Sequence, residues 1–293
     1  MQHHANFAED ALRTQKGLPQ ELFEIALPEK MKNVIDLKSL IMEEDSYVDE
    51  ALRAHYSDIM FTVKRKIADE NSRLYMLCEH KSSPEHDTLE QLRSYLTVIH
   101  AGLKTPQPVI SIVLYHGREE WRVKRTYLEQ YNLTAEEREA YGEIVLNFGY
   151  VLIDVNDLDI TGLRASLITR TFLLALRDIW LFDSERKLTE FIRACRDVFF
   201  EKDNVLFVKK LLTYIYRVHN IRPERMREII SAHVAEEQGD TAMTIVEEME
   251  FKAEKRGKLD DARKMKEKGC DLNFIIEITG LTKEELAEGG VKE

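Results

Sequence analysis

Ser57-Asp58-Ile59-Met60-Phe61-Thr62-Val63 and Leu74-Tyr75-Met76-Leu77-Cys78-Glu79-His80-Lys81 are two short β-type runs separated by polar text that includes Ala68-Asp69-Glu70-Asn71-Ser72. Side chains alternate across a strand, so Glu79 and Lys81 share one face and His80 takes the other. Paired as a hairpin, the two runs can bring Asp58 beside Glu79 across the sheet. Two carboxylates and an ammonium then crowd one spot. That costs energy unless something is bound there, and a hard divalent cation is the natural guest. The second run is dense in Leu, Tyr, Met and Cys, which marks a central strand. Charged groups in such a place are rarely buried without a partner or a metal. The plainer alternative is a Glu79–Lys81 pair simply exposed at a strand end.

Working outward, Pro84 breaks the strand. Asp87 and Glu90 have the spacing of a capping box, and Leu89, Leu92, Leu96, Ile99 and Leu103 recur at helical spacing. Gln91 and Tyr95 lie beside that apolar face, four apart. Residues 109–115 are a continuous apolar run of strand length reached through this helix, which predicts a βαβ crossover. His116 ends the run; it is either a structural histidine or a phosphate contact. Residues 144–148 and 151–155 read as further strands, and 34–41 and 43–48 as an extended lead-in. Pro28 suits the first turn of a short helix before Ile35. From Thr161 the pattern turns helical, with helices over 163–179, 188–200 and 205–218. The tail reads as a mixed-charge helix over 243–268, interrupted at Gly257. Two short helices around Gly280 follow, with Thr282 and Glu285 as a capping box.

Bulk properties bound the function. Gly is 12 and Pro 6 of 293 residues and charged residues are 32%, which favours a helix-rich α/β protein. The net charge of −11 argues against coating nucleic acid by charge alone, yet allows a local basic groove. Candidates for that groove are Lys64, Arg65, Lys66, Arg73, Arg93, Lys104, Arg118, Arg122, Lys124 and Arg125. Three scattered cysteines suggest no disulfide framework, and no apolar run reaches membrane-spanning length, so a cytoplasmic location is expected. Phosphate loops, dinucleotide fingerprints, zinc spacing and the G-x-S-x-G elbow are absent.

An aspartate followed by Glu-x-Lys on the next strand resembles the PD-(D/E)XK nuclease superfamily. The surrounding text sharpens this. Ser46-Tyr47-Val48-Asp49-Glu50-Ala51-Leu52-Arg53, Leu77-Cys78-Glu79-His80-Lys81-Ser82-Ser83-Pro84 and Val109-Ile110-Ser111-Ile112-Val113-Leu114-Tyr115-His116-Gly117 together resemble the Rpn family of recombination-promoting nucleases, also called YhgA-like transposases. The resemblance implies a restriction-endonuclease-like mixed sheet core flanked by helices, with a helical C-terminal region. It divides the chain into a nuclease-like core over 1–158, a helical region over 159–238 and a charged tail over 239–293. It implies a Mg²⁺-dependent DNA endonuclease, with Mn²⁺ as a substitute and a link to recombination. Asp58, Glu79 and the backbone carbonyl of His80 would hold the metal; Lys81 would orient or deprotonate the attacking water. Gln91-Leu92-Arg93-Ser94-Tyr95 is similar to the Q-x-x-x-Y motif of RecB-like nucleases, which makes Gln91 a further catalytic candidate; an ordinary polar flank is the alternative. The family's opening motif appears here as His4-Ala5-Asn6-Phe7-Ala8-Glu9, without its aspartate and lysine, and Glu9 or Asp10 is a candidate substitute. A different reading is a non-catalytic DNA-binding or scaffolding protein that retains the fold. The expected partners are DNA and a second copy of the chain through the C-terminal helices, with no membrane.

Overall fold

The structure, a computed structural model, describes residues 2–43, 59–66, 72–160, 162–182, 184–199, 201–219, 221–234 and 236–291. Three helices open it: α1 (Gln2–Thr14), α2 (Leu18–Ala26) and the single turn α3 (Glu29–Lys32), which follows Pro28. Then come β1 (Ile35–Met42), β2 (Ile59–Arg65), β3 (Arg73–Lys81), α4 (Thr88–Gly102), β4 (Val109–Tyr115), α5 (Ala135–Tyr141) and β5 (Tyr150–Asp154). The remainder is helical: α6 (Leu167–Asp178), α7 (Glu185–Ala194), α8 (Val205–His219), α9 (Pro223–His233), α10 (Glu236–Glu267), α11 (Leu272–Thr279) and α12 (Lys283–Glu288).

The strands form one mixed sheet in the order β1-β2-β3-β4-β5. β1 and β3 flank β2 in antiparallel fashion, whereas β3, β4 and β5 run parallel. The parallel step from β3 to β4 passes through α4, the crossover that the spacing required. β3 is thus the middle strand, and its apolar content follows from being covered on both faces. Met60, Leu77, Val113 and Tyr115 pack beneath Leu89, Leu92, Tyr95 and Ile99 of α4. On the opposite face Phe61, Met76, Ile112 and Leu114 join a larger cluster that runs through α1, α2, α6, α7, α8 and α9 to Ile245 and Val246 of α10. Ala262, Ile275, Leu281, Leu286 and Val291 form a separate small cluster in the tail.

Several local expectations need correction. Residues 144–148 are not a strand: Ile144 is 85% exposed, and Asn147 accepts the Leu128 backbone N–H. The chain reaches the sheet only after Gly149, which bridges Thr126, and β5 begins at Tyr150. Asp87 stands at the N-terminus of α4 without a side-chain cap bond. Glu90 instead accepts from the Tyr127 hydroxyl at 2.7 Å and from Arg93 at 2.8 Å, so the capping box does not form. Tyr95, read as a flank, is fully buried, while Leu96 is half-buried. The helix after Thr161 starts later, at Leu167, capped by Ser166, whose hydroxyl accepts the Thr169 N–H. α9 was not foreseen. α10 continues through Gly257, where one glycine costs about 1 kcal/mol, too little to end a long helix. The Thr282–Glu285 capping box and the stop at Gly280 are as read, and Gly280 takes the left-handed φ of 67°.

Candidate active site

Glu79 and Lys81 occupy alternate positions at the C-terminal end of β3, and each residue retains only 6% of its surface exposure. The exposed-pair alternative is therefore excluded. Alternation turns both toward α4. His80 faces the other way, where its ring stacks on His116 at 4.9 Å, and His116 stacks in turn on Trp180 at 5.7 Å. His116 Nδ1 lies 2.9 Å from the Leu176 carbonyl. The structural reading of His116 is thus the correct one: it ties β4 to α6.

α4 delivers Gln91 to the carboxylate and the ammonium. Its amide oxygen accepts from Lys81 Nζ at 2.6 Å, and its amide nitrogen donates to Glu79 Oε1 at 3.2 Å and to the Tyr95 hydroxyl. Tyr95 lies one helical turn on, so its burial fixes the amide in place. Lys81 Nζ also lies 3.2 Å from Glu79 Oε1 and 2.5 Å from Glu85 Oε2. Burial works to lower the Lys81 pKa, but the negative charges of Glu79 and Glu85 outweigh it and hold the ammonium above its ordinary range. Lys81 is therefore a cation at neutral pH, suited to offsetting negative charge and to donating hydrogen bonds.

Glu85 was missed by sequence reasoning. It sits four residues past Lys81, but across a Ser-Ser-Pro bend rather than along a helix, and no periodicity marks such a contact. The bend is fixed by the Thr88 hydroxyl, which donates to the Glu85 carbonyl at 2.6 Å.

One atom in this cluster points to a ligand. Among the described residues, Glu79 Oε2 is buried and has no hydrogen-bond partner. A carboxylate oxygen without a partner in a buried site is costly, and it is a donor of the type that magnesium takes. The chemistry of Glu79 therefore fits a hard divalent cation. The described residues alone do not complete a site, since no group of three His, Cys, Asp or Glu side chains among them could hold a metal. Asp58 lies outside the described residues. The β2–β3 ladder begins with Ile59 opposite Cys78.

The N-terminal candidates go elsewhere. Glu9 pairs with Arg13 at 2.9 Å, Asp10 lies 3.4 Å from Lys210, and Ala8 is buried in the larger core on the far face of the sheet. Of the basic residues, Arg93 pairs with Glu90 and Arg122 with Glu120, both at the surface. Lys124 bonds the Glu129 carbonyl and the Asn132 side chain. Among the described residues no helix is long and apolar enough to cross a membrane.

Comparison with known proteins gives this geometry a context. A family model described as "Putative transposase, YhgA-like" matches residues 2–206. The chain is similar to the recombination-promoting nuclease RpnA of Escherichia coli (strain K12), 25% identical over 284 residues, which covers 93% of this chain and 92% of that protein. It is 30% identical over 143 residues to the recombination-promoting nuclease RpnD of Escherichia coli O157:H7, covering 46% of this chain and 52% of that protein. A third relative, 26% identical over 142 residues and spanned over 45% of its length, is the inactive recombination-promoting nuclease-like protein RpnE of Escherichia coli (strain K12). The chain thus spans about half the length of RpnD and RpnE and nearly all of RpnA. No solved structure matches it significantly. With a single family model spanning the sheet, the Glu79–Lys81 strand and the first core helices, the chain belongs to the YhgA-like transposase family, whose relatives here include recombination-promoting nucleases.

Proposed function

We propose that this chain is a divalent-metal-dependent DNA endonuclease whose catalytic residues are Glu79, Lys81 and Gln91, with Asp58 as a second carboxylate. The observation that supports this most is the unpartnered buried Oε2 of Glu79 beside an ammonium held in the charged state. In sequence, Asp58 precedes Ile59 and Glu79 follows Cys78, and Ile59 and Cys78 are cross-strand partners. That register is what recommends Asp58. The metal-binding groups would be the carboxylates of Asp58 and Glu79 and the backbone carbonyl of His80, with Mg²⁺ as the resident ion and Mn²⁺ as a substitute. Such an ion supplies Lewis-acid polarisation of a phosphoryl oxygen and a more acidic bound water.

The chain's own groups have separable tasks. Lys81 places a positive charge where negative charge grows on the phosphate during displacement. Gln91 holds the Lys81 ammonium with its oxygen and Glu79 Oε1 with its nitrogen, which leaves Oε2 for the ligand. Burial beneath α4 keeps water from screening these charges. Plasmid nicking tests the reading. Wild type should cut with Mg²⁺ and stop with chelator; Asp58→Ala, Glu79→Ala and Lys81→Ala should each lose at least about 100-fold. Equal rates in these variants and wild type would remove the residues from the mechanism.

A second reading is a non-catalytic DNA-binding protein that keeps the fold. A relative named inactive and the departures at Ala5 and Ala8 favour it. Titration calorimetry with Mn²⁺ separates the two: the nuclease reading requires uptake that Glu79→Ala abolishes, whereas no uptake supports the alternative.

A further inference from the structure

We propose that Arg118, held by Trp180 on the loop after β4, forms a binding subsite for a DNA backbone phosphate next to the bond that is cut. This rests on the nuclease reading above. The location comes from the ladder: Tyr115, the last residue of β4, pairs with Lys81, and the His116 N–H donates to the Lys81 carbonyl at 3.2 Å. Beside this junction opens a pocket of about 310 Å³ lined by Ser82, Ser83, Tyr115, Arg118, Glu119 and Trp180. It adjoins the end of the strand that carries Glu79 and Lys81.

The loop over His116, Gly117, Arg118 and Glu119 is fixed at successive residues. Trp180 Nε1 donates to the His116 carbonyl at 2.7 Å, and Asn156 Nδ2 donates to the Gly117 carbonyl at 3.0 Å. The Tyr115 hydroxyl donates to the Glu119 carbonyl at 2.6 Å. Gly117 has no space for a side chain, because an added Cβ would collide with the Tyr115 hydroxyl. The guanidinium of Arg118 lies over the Trp180 ring, 5.4 Å from its centroid, and donates to the Trp180 carbonyl. A carbonyl and a ring face orient a cation without neutralising it. Arg93 and Arg122 are paired with acids, whereas Arg118 forms no ion pair among the described residues.

An exposed, oriented and unneutralised guanidinium beside two serines is suited to a phosphodiester, which accepts hydrogen bonds in a fork. Glu119 on the same rim opposes an anion. It sets the sign of a second test.

The experiment measures binding of a labelled DNA duplex by fluorescence anisotropy, with the full chain carrying Glu79→Gln to suppress cutting. Adding Arg118→Ala should weaken binding about tenfold and reduce the salt slope by about 1. Arg118→Lys should recover part of the affinity, and Glu119→Gln should tighten binding. In the otherwise wild-type chain, Arg118→Ala should raise KM for DNA while kcat stays within about twofold, since the contact persists from ground state to transition state. Unchanged affinity, salt slope and KM in Arg118→Ala, with cutting intact, would overturn the subsite and leave the nuclease reading standing. A wild-type chain that neither cuts nor binds DNA would overturn both.

Discussion

Lys81 is where charge, burial and the proposed chemistry meet. Its ammonium is stabilised only because Glu79, Glu85 and Gln91 surround it. Replacing Lys81 by Ala would leave Glu79 buried without its counter-charge, a loss of about 3 kcal/mol. Removing Glu79 as well should cost less than the sum, because no orphaned carboxylate remains; a double-mutant cycle by urea unfolding checks this. The pH dependence has a definite sign. A lysine whose folded pKa is raised contributes stability that is fully present below the ordinary lysine value. That stability is lost as pH rises through the higher folded value. Glu85→Gln removes one source of the raise, so unfolding midpoints in the alkaline range should fall at lower pH than in wild type. The alkaline limb of any cutting activity should move the same way. An alkaline limb unmoved by Glu85→Gln would mean that the Lys81–Glu85 contact does not set the ammonium's pKa.

At the scale of elements, the parts that read correctly were those with local causes. β3 and β4 read as central because apolar residues fill most of both faces, and α4 carries its apolar stripe at helical spacing. The errors arose where tertiary contacts overrode local text. Residues 144–148 have strand-like composition, but the Thr126–Gly149 bridge delays entry into the sheet, and Ile144 stays exposed. Gly257 looks like a helix break, yet α10 passes through it with open space around the missing Cβ. Gly257→Ala should therefore stabilise the chain by about 0.5–1 kcal/mol, read as a raised thermal midpoint. Gly280→Ala should do the reverse by about 1 kcal/mol, because its φ of 67° is left-handed and caps α11. The chain contains both a glycine whose replacement helps and one whose replacement harms, and only backbone geometry separates them.

For the whole molecule, the larger apolar cluster ties the N-terminal helices, one face of the sheet and α6 to α9 together, and it draws in Ile245 and Val246 from the start of α10. The tail beyond closes its own small cluster, with Lys255 paired to Glu285 at 2.7 Å. A chain ending at residue 238 should lose stability, because two buried side chains leave the main core. A chain ending at 257 should keep the wild-type thermal midpoint within a few degrees. Self-association through the C-terminal helices is proposed on the mixed-charge tail alone. It predicts that the 257 truncation lowers the oligomeric mass by light scattering while cutting persists.

The sequence by itself determined the hairpin, the central strand, the crossover helix and the split of Glu79 and Lys81 from His80 onto opposite faces. Each of these follows from a period of two or 3.6 residues, a property of neighbours along the chain. Only the tertiary structure decided that Glu85 folds back onto Lys81, that the Gln91 amide bridges acid and amine against a buried Tyr95, and that Trp180 reaches across to the loop of Arg118. Apart from the Gln91–Tyr95 step, which is one helical turn, those contacts join side chains separated by bends or by some sixty residues, and no local pattern sets their distance; the packing of α4 and α6 against the sheet does.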